Sequence, residues 1–193
     1  LRKKYAAAYE QKGGHLTVTL FAMKALIPAL KQFPIFNTSL DEATGELIYK
    51  GYFHIGIAVD TEQGLIVPVI HDADKKSLLK LSVELNELAE RTRQRKVDLE
   101  ELQGGCFTIS NLGSIGGAHF SPIVNKPEVA ILGLGRGLLR PVVRGESKSP
   151  AVRLMLPVAL SYDHRVIDGA DGARFIRKFI ESLERISEID VKI

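Results

Sequence analysis

The 193-residue chain predicts an α/β fold, a two-layer mixed β-sheet with helices, on three observations. Two long runs, 77–95 and 168–186, carry apolar residues at helical spacing: Leu78, Leu81, Leu85 and Leu88 in one, Phe175, Phe179 and Leu183 in the other. Short apolar runs such as 47–49, 107–110 and 129–133 have strand length and are bounded by turn residues. Both tight turns and helical connections join those runs, so hairpins and crossovers feed one sheet.

Taken in order, residues 1–11 read as a helix that stops at Gly13-Gly14. Residues 17–32 read as a second helix kinked at Pro28, which has no N–H to donate. Runs 47–49, 52–60 and 65–70 read as strands, with turns at Gly51 and 62–64. Ser77 opens a helix to about Arg95. Strands follow at 107–110, 129–133, 138–143 and 153–162, and a last long helix spans 168–186.

The composition fits one globular domain over 1–193, with 45% hydrophobic and 25% charged residues. Lys24 and Lys31 interrupt the longest apolar stretch, so no membrane span is expected. The opening Leu1-Arg2-Lys3-Lys4 leads into no signal-peptide core. The net charge is +3, and the basic cluster 91–96 follows Glu84, Glu87 and Glu90 on one helix. That pattern is a solvated face, and nucleic-acid binding is not expected. Cys106, the single cysteine, excludes an internal disulfide, suits a reducing compartment and reads as a small apolar residue on a strand.

Gly133-Leu134-Gly135-Arg136-Gly137 lacks the third glycine of a dinucleotide loop and reads as a tight turn between strands. The five histidines show no short metal-ligand spacing, and one cysteine cannot build a zinc cluster, so no metal is expected.

The most informative stretch is Asp163-His164-Arg165-Val166-Ile167-Asp168-Gly169, set between a strand and a helix. A histidine presented there suits a general base, with Asp168 four residues on. Equally, Asp168 caps the helix and His164 is a satisfied strand-end histidine; the spacing leaves both readings standing. Phe107-Thr108-Ile109-Ser110-Asn111-Leu112-Gly113-Ser114-Ile115-Gly116-Gly117 is a strand entering a glycine-rich turn, and Ser110 alone reads as a turn serine.

Together the two segments closely resemble the catalytic domain of the 2-oxo acid dehydrogenase dihydrolipoyl acyltransferases. His54-Ile55-Gly56-Ile57-Ala58-Val59-Asp60, Gly64-Leu65-Ile66-Val67-Pro68-Val69-Ile70 and Asn125-Lys126-Pro127-Glu128-Val129-Ala130-Ile131-Leu132-Gly133 extend the resemblance to nearly the whole chain. It implies a chloramphenicol-acetyltransferase-like fold and acyl exchange between the thiols of dihydrolipoamide and coenzyme A. His164 is then the base, Ser110 the oxyanion donor, and Asp168 a residue that maintains local geometry. The run 120–129 looks most like the acetyl-transferring, pyruvate-type members.

The resemblance also implies a homotrimer with its active site between neighbouring chains, where His164 of one meets Ser110 of the next. Trimers would build hollow cubic or dodecahedral cores of 24 or 60 subunits. By the same resemblance coenzyme A is expected as a substrate, with the lipoyl group expected to arrive on a separate lipoyl domain, beside the other subunits of a 2-oxo acid dehydrogenase complex. Family members carry lipoyl and subunit-binding domains ahead of this region, so the chain is expected to be truncated at its N-terminus. The location that the resemblance implies is the cytoplasm for a bacterial protein, or the mitochondrial matrix for a eukaryotic one. Lys126, Arg136, Arg140 and Arg144 read as solvated loop charges and are not counted as coenzyme A contacts. The rival readings are a serine hydrolase, weakened by the missing Gly-x-Ser-x-Gly elbow, and a non-catalytic core subunit.

Overall fold

A computed structural model describes residues 1–143 and 149–193. The helices are α1 (Arg2–Glu10), α2 (Val18–Gln32), α3 (Leu78–Arg93), α4 (Gly169–Glu184) and α5 (Glu188–Val191). Side-chain oxygens fix where three of them begin. Thr17 accepts the Leu20 N–H at 3.1 Å, Ser77 that of Lys80 at 3.2 Å, and Asp168 that of Asp171 at 2.9 Å. Each supplies one of the partners that the first turn of a helix lacks. α2 continues through Pro28, at the cost of the bond that residue 28 would have donated.

The strands are β1 (Thr38–Leu40), β2 (Leu47–Tyr49), β3 (Ile55–Ile57), β4 (Val59–Thr61), β5 (Gly64–Ile66), β6 (Val69–Ile70), β7 (Phe107–Asn111), β8 (Ala130–Leu134), β9 (Leu138–Val142), β10 (Ala151–Met155) and β11 (Val158–Tyr162). Five form the central sheet in the order β11-β8-β7-β3-β6. The inner pairs β3–β7 and β7–β8 are parallel, while β6 and β11 run antiparallel at the edges. The mixed sheet expected from hairpins plus crossovers is therefore present. β1–β2, β4–β5 and β9–β10 are separate antiparallel ribbons.

Three expected strands are each two. Run 52–60 breaks at Ala58, whose N–H goes to Ile109 O at 3.0 Å, and β4 then leaves the sheet to pair with β5. Run 65–70 breaks at Val67-Pro68 and run 153–162 at Leu156-Pro157. Proline cannot donate to a ladder, so each proline marks where the chain changes partners. β1, α5 and a short helical turn at Leu99–Leu102 were not expected, because each is only three or four residues long.

One face of the sheet carries the core. Phe107, Ile109 and Leu132 are buried beneath Leu26 and Leu30 of α2 and Phe175 and Phe179 of α4. Phe175 stacks on Phe36 with ring centroids 4.0 Å apart and lies 5.7 Å from Phe107. Burying each such side chain contributes about 1.5–3 kcal/mol. The Tyr9 hydroxyl donates to Val191 O at 3.0 Å, and Lys4 and Tyr5 both bond Glu188, so α1 is fastened to α5. The opposite face of the sheet carries Gly56, Thr108, Ser110 and Gly133.

Candidate active site

His164 stands on the turn between β11 and α4, held from several directions. The Asp163 N–H donates to Val129 O at 2.8 Å, which extends the β11–β8 ladder one step past the strand. The Asp163 carbonyl accepts the N–H groups of Val166 and Ile167, both at 3.0 Å, closing the turn. Buried Ile167 plugs it into the core. Ahead of it, α4 approaches closely: a Cβ at Gly172 would lie 2.9 Å from the Tyr162 ring. That ring sits 5.6 Å from the exposed His164 imidazole.

Asp163 and Arg165 flank the histidine and bond each other. The guanidinium reaches the carboxylate through Nε at 3.0 Å and Nη2 at 2.6 Å, and the Arg165 N–H adds 3.0 Å. The Arg165 guanidinium holds the Asp163 carboxyl well below the usual carboxylate range. Asp168 takes the cap reading. Its carboxylate accepts the Asp171 N–H, and that bond chiefly lowers its pKa, with the Ala170 N–H, Arg174 and His164 adding to it.

Ser110 lies near the end of β7, half-buried, and its hydroxyl makes no hydrogen bond among the described residues. The strand end is anchored by its neighbour: Asn111 Nδ2 donates to Thr19 Oγ1 at 2.9 Å, and Asn111 Oδ1 accepts the Gly113 N–H at 2.9 Å. The N–H groups of Ile115, Gly116 and Gly117 all turn onto Leu112 O at 3.1 Å. A Cβ at Gly133, beside Ser110 in the sheet, would lie 2.8 Å from the Phe120 ring. Phe120 thus covers the row that Ser110 belongs to.

Within one chain the sheet keeps these two residues apart. Ser110 is in register with Gly133, and Gly133 with Ala159, whereas His164 lies beyond Tyr162 at the other end of β11. At about 3.3 Å per residue and about 4.8 Å per strand, Ser110 and Tyr162 are already ~14 Å apart. His164 is two residues further on. No hydrogen bond spans that gap.

The glycine run 133–137 ends β8 and turns toward β9. A Cβ at Gly135 would sit 2.2 Å from Ala118 O, so the run packs tightly against its own loop. Lys126 bonds Glu42 at 2.8 Å, Arg136 and Arg140 are exposed, and Arg144 lies outside the described residues. Among the described residues, no three His, Cys, Asp or Glu side chains converge to hold a metal ion. Burial pushes the Cys106 thiol up, which suits its packing role and not a nucleophile. A surface cleft of about 540 Å³ lies against α2 and α4 beside Lys24, Lys31 and Lys178, and is lined by neither Ser110 nor His164.

Two carboxyls escaped the sequence reading. Glu128 is 5% exposed, and burial pushes it up to about 7, against the lowering effects of Thr108 and Lys50. Its Oε2 and the Thr108 Oγ1 are buried without a hydrogen-bond partner. Glu42 joins the Asp163–Arg165 pair from a distant loop. A Lys-Pro-Glu string reads as loop, and only the Asp41-to-Gly45 turn signature hinted at structure near Glu42.

Residues 1–190 match the model of the 2-oxoacid dehydrogenases acyltransferase (catalytic domain) family, and the chain belongs to that family. Among curated relatives, the dihydrolipoyllysine-residue acetyltransferase component of the pyruvate dehydrogenase complex of Haemophilus influenzae is 51% identical over 177 residues, 91% of this chain and 31% of that protein. The chain spans about a third of the length of the curated relatives it matches. Two solved structures superpose with a TM-score of 0.91 at 49% identity, covering 95% of this chain and 75% of theirs. One is the Azotobacter vinelandii dihydrolipoamide acetyltransferase, studied for a serine, a histidine and an asparagine in its catalytic mechanism; the other is the cubic core of the pyruvate dehydrogenase multienzyme complex. A chloramphenicol acetyltransferase, 16% identical with a TM-score of 0.54 over 94% of this chain and 82% of its own, shares the fold.

Proposed function

We propose that residues 1–193 act as one acyltransferase domain, moving an acetyl group between the thiols of dihydrolipoamide and coenzyme A. The observation that carries this reading is the presence of an exposed, turn-anchored His164 and of a Ser110 hydroxyl without a hydrogen-bond partner among the described residues, in a chain half identical to acetyltransferases. The histidine and asparagine named for the Azotobacter enzyme stand four residues apart, as His164 and Asp168 do.

A thiol with a pKa of about 8.5 is mostly protonated near neutrality, and its thiolate is the nucleophile. The His164 imidazole takes the coenzyme A proton as the sulfur attacks the thioester carbonyl. A new C–S bond forms, and the carbonyl oxygen becomes an oxyanion that accepts a hydrogen bond from Ser110. Collapse breaks the bond to the dihydrolipoamide sulfur, which recovers the proton from the imidazolium. Asp168 holds the start of α4, and so the end of the His164 turn, in place.

His164 of one chain would meet Ser110 of a neighbour in the homotrimer that the family resemblance implies. Likeness to the cubic core supports assembly of such trimers into a larger core served by lipoyl domains of a pyruvate-type complex. Acetyl transfer from acetyl-coenzyme A to free dihydrolipoamide, run beside succinyl- and isobutyryl-coenzyme A, tests the reading. Acetyl should be preferred; a preference for either alternative would reassign the substrate, and transfer of none would remove the activity.

A further inference from the structure

Three loops remote in sequence meet at one carboxylate oxygen beside the His164 turn. Arg165 Nη2, already bonded to Asp163, also donates to Glu42 Oε1 at 2.9 Å. The same oxygen accepts from Lys126 Nζ at 2.8 Å. Glu42 belongs to the tight turn between β1 and β2, where the Asp41 carboxylate accepts the Ala43 N–H at 2.9 Å and the Asp41 carbonyl the Gly45 N–H at 2.8 Å. Lys126 belongs to the loop before β8. The hydrogen bonds from Lys126 and Arg165 keep the Glu42 carboxyl below its ordinary range, so it is ionised near neutrality.

An isolated exposed ion pair contributes little, but this is a network built on a partner that is already fixed. Arg165 is locked by its fork onto Asp163, and Asp163 is locked by Val129. Glu42 therefore ties a rigid turn to the residue that directly follows His164. Two carboxylates and two cations balance, so the cluster holds geometry without adding net charge.

We propose that Glu42, acting through Arg165, is a positioning residue for His164: it fixes the turn that aims the imidazole and touches no substrate. The inference rests on the acyl-transfer reading with His164 as base. Catalytic geometry is sensitive enough for this to matter, since misplacement by about 1 Å can cost ~100-fold in rate.

The test is steady-state kinetics of the assembled protein with acetyl-coenzyme A and dihydrolipoamide. Glu42→Gln should lower kcat about 10-fold while KM for acetyl-coenzyme A stays within about 2-fold. Glu42→Asp, which keeps the charge, should recover part of the loss, and the thermal midpoint of both variants should stay close to wild type. Three results would overturn the role: wild-type kcat in Glu42→Gln, a loss confined to KM, or a loss that tracks the thermal midpoint with no recovery in Glu42→Asp. A His164→Ala control separates the causes. If that control is as active as wild type, the base reading itself fails; if it is inactive while Glu42→Gln is normal, only the positioning role fails.

Discussion

Ser110 and His164 occupy opposite ends of the same central sheet: Ser110 shares a cross-strand row with Gly133 and Ala159, and His164 follows Tyr162 beyond the far end of β11. The separation follows from strand direction. β7 runs parallel to β8 and delivers Ser110 at its C-terminal end, while β11 runs antiparallel and delivers His164 at the other. Within one chain of this arrangement the two do not meet, which is why the proposed function brings His164 and Ser110 together from neighbouring copies. The same geometry disfavours a serine hydrolase within one chain, because such a pair must be within hydrogen-bond reach.

Loss of the base should be severe. His164→Ala should lower acetyl transfer by at least about 100-fold, with oligomer size and coenzyme A affinity little changed. Steady-state rates alongside size-exclusion chromatography check this, and near-normal turnover would remove the mechanism.

Removing the oxyanion donor should leave residual activity. Ser110→Ala should slow transfer by roughly 100- to 1000-fold. No acyl-serine should accumulate when wild type is mixed with acetyl-coenzyme A alone. Mass spectrometry detecting acetylated Ser110 would favour a covalent route instead.

Asp168 acts through its cap, so its amide should serve nearly as well as its carboxylate. Asp168→Asn should keep the bond to the Asp171 N–H and most of the activity, whereas Asp168→Ala should lower both the denaturation midpoint and kcat. The wild-type carboxyl has a depressed pKa, so its stabilisation is present above the ordinary value and is lost as pH falls through the lower folded value. Asp168→Asn should flatten that acid limb in a pH series of denaturation midpoints. An Asn variant as inactive as Asp168→Ala would show that the charge itself matters.

Glu128 should make the fold less stable as pH rises. Its folded pKa is pushed from 4.5 up to about 7, so folding takes up a proton between those values, and stability falls as pH climbs through that window. Glu128→Gln should remove this slope and stabilise the protein above pH 7, by at most about 3 kcal/mol. Urea denaturation at pH 5 and pH 8 measures it. An equal difference between the two pH values in both proteins would contradict the buried-acid account.

The regular elements were legible because periodicity carries them: the leucines of α3 and the phenylalanines of α4 fall on the buried faces that their spacing assigns. The breaks in the strands were less legible. Apolar residues run continuously through Val67-Pro68 and Leu156-Pro157, and only the missing proline N–H signals that the chain changes sheet. Of the site, the strand-end positions of Ser110 and His164 and the cap at Asp168 followed from local pattern. The burial of Glu128 and the convergence of Glu42, Lys126 and Arg165 are tertiary, and no local periodicity encodes them.

Complementation between inactive chains tests the shared site most directly. A His164→Ala chain and a Ser110→Ala chain are co-refolded in equal amounts, and acetyl transfer is measured on the whole trimer population, in which mass spectrometry of differently tagged chains proves that mixed trimers have formed. With random mixing and cyclic symmetry, about one interface in four should carry both intact residues, so activity should approach about a quarter of wild type. The separately folded variants, mixed without exchange, should show no gain. Proven mixed trimers whose activity merely averages that of the two parents would contradict a site shared between Ser110 and His164 of neighbouring chains.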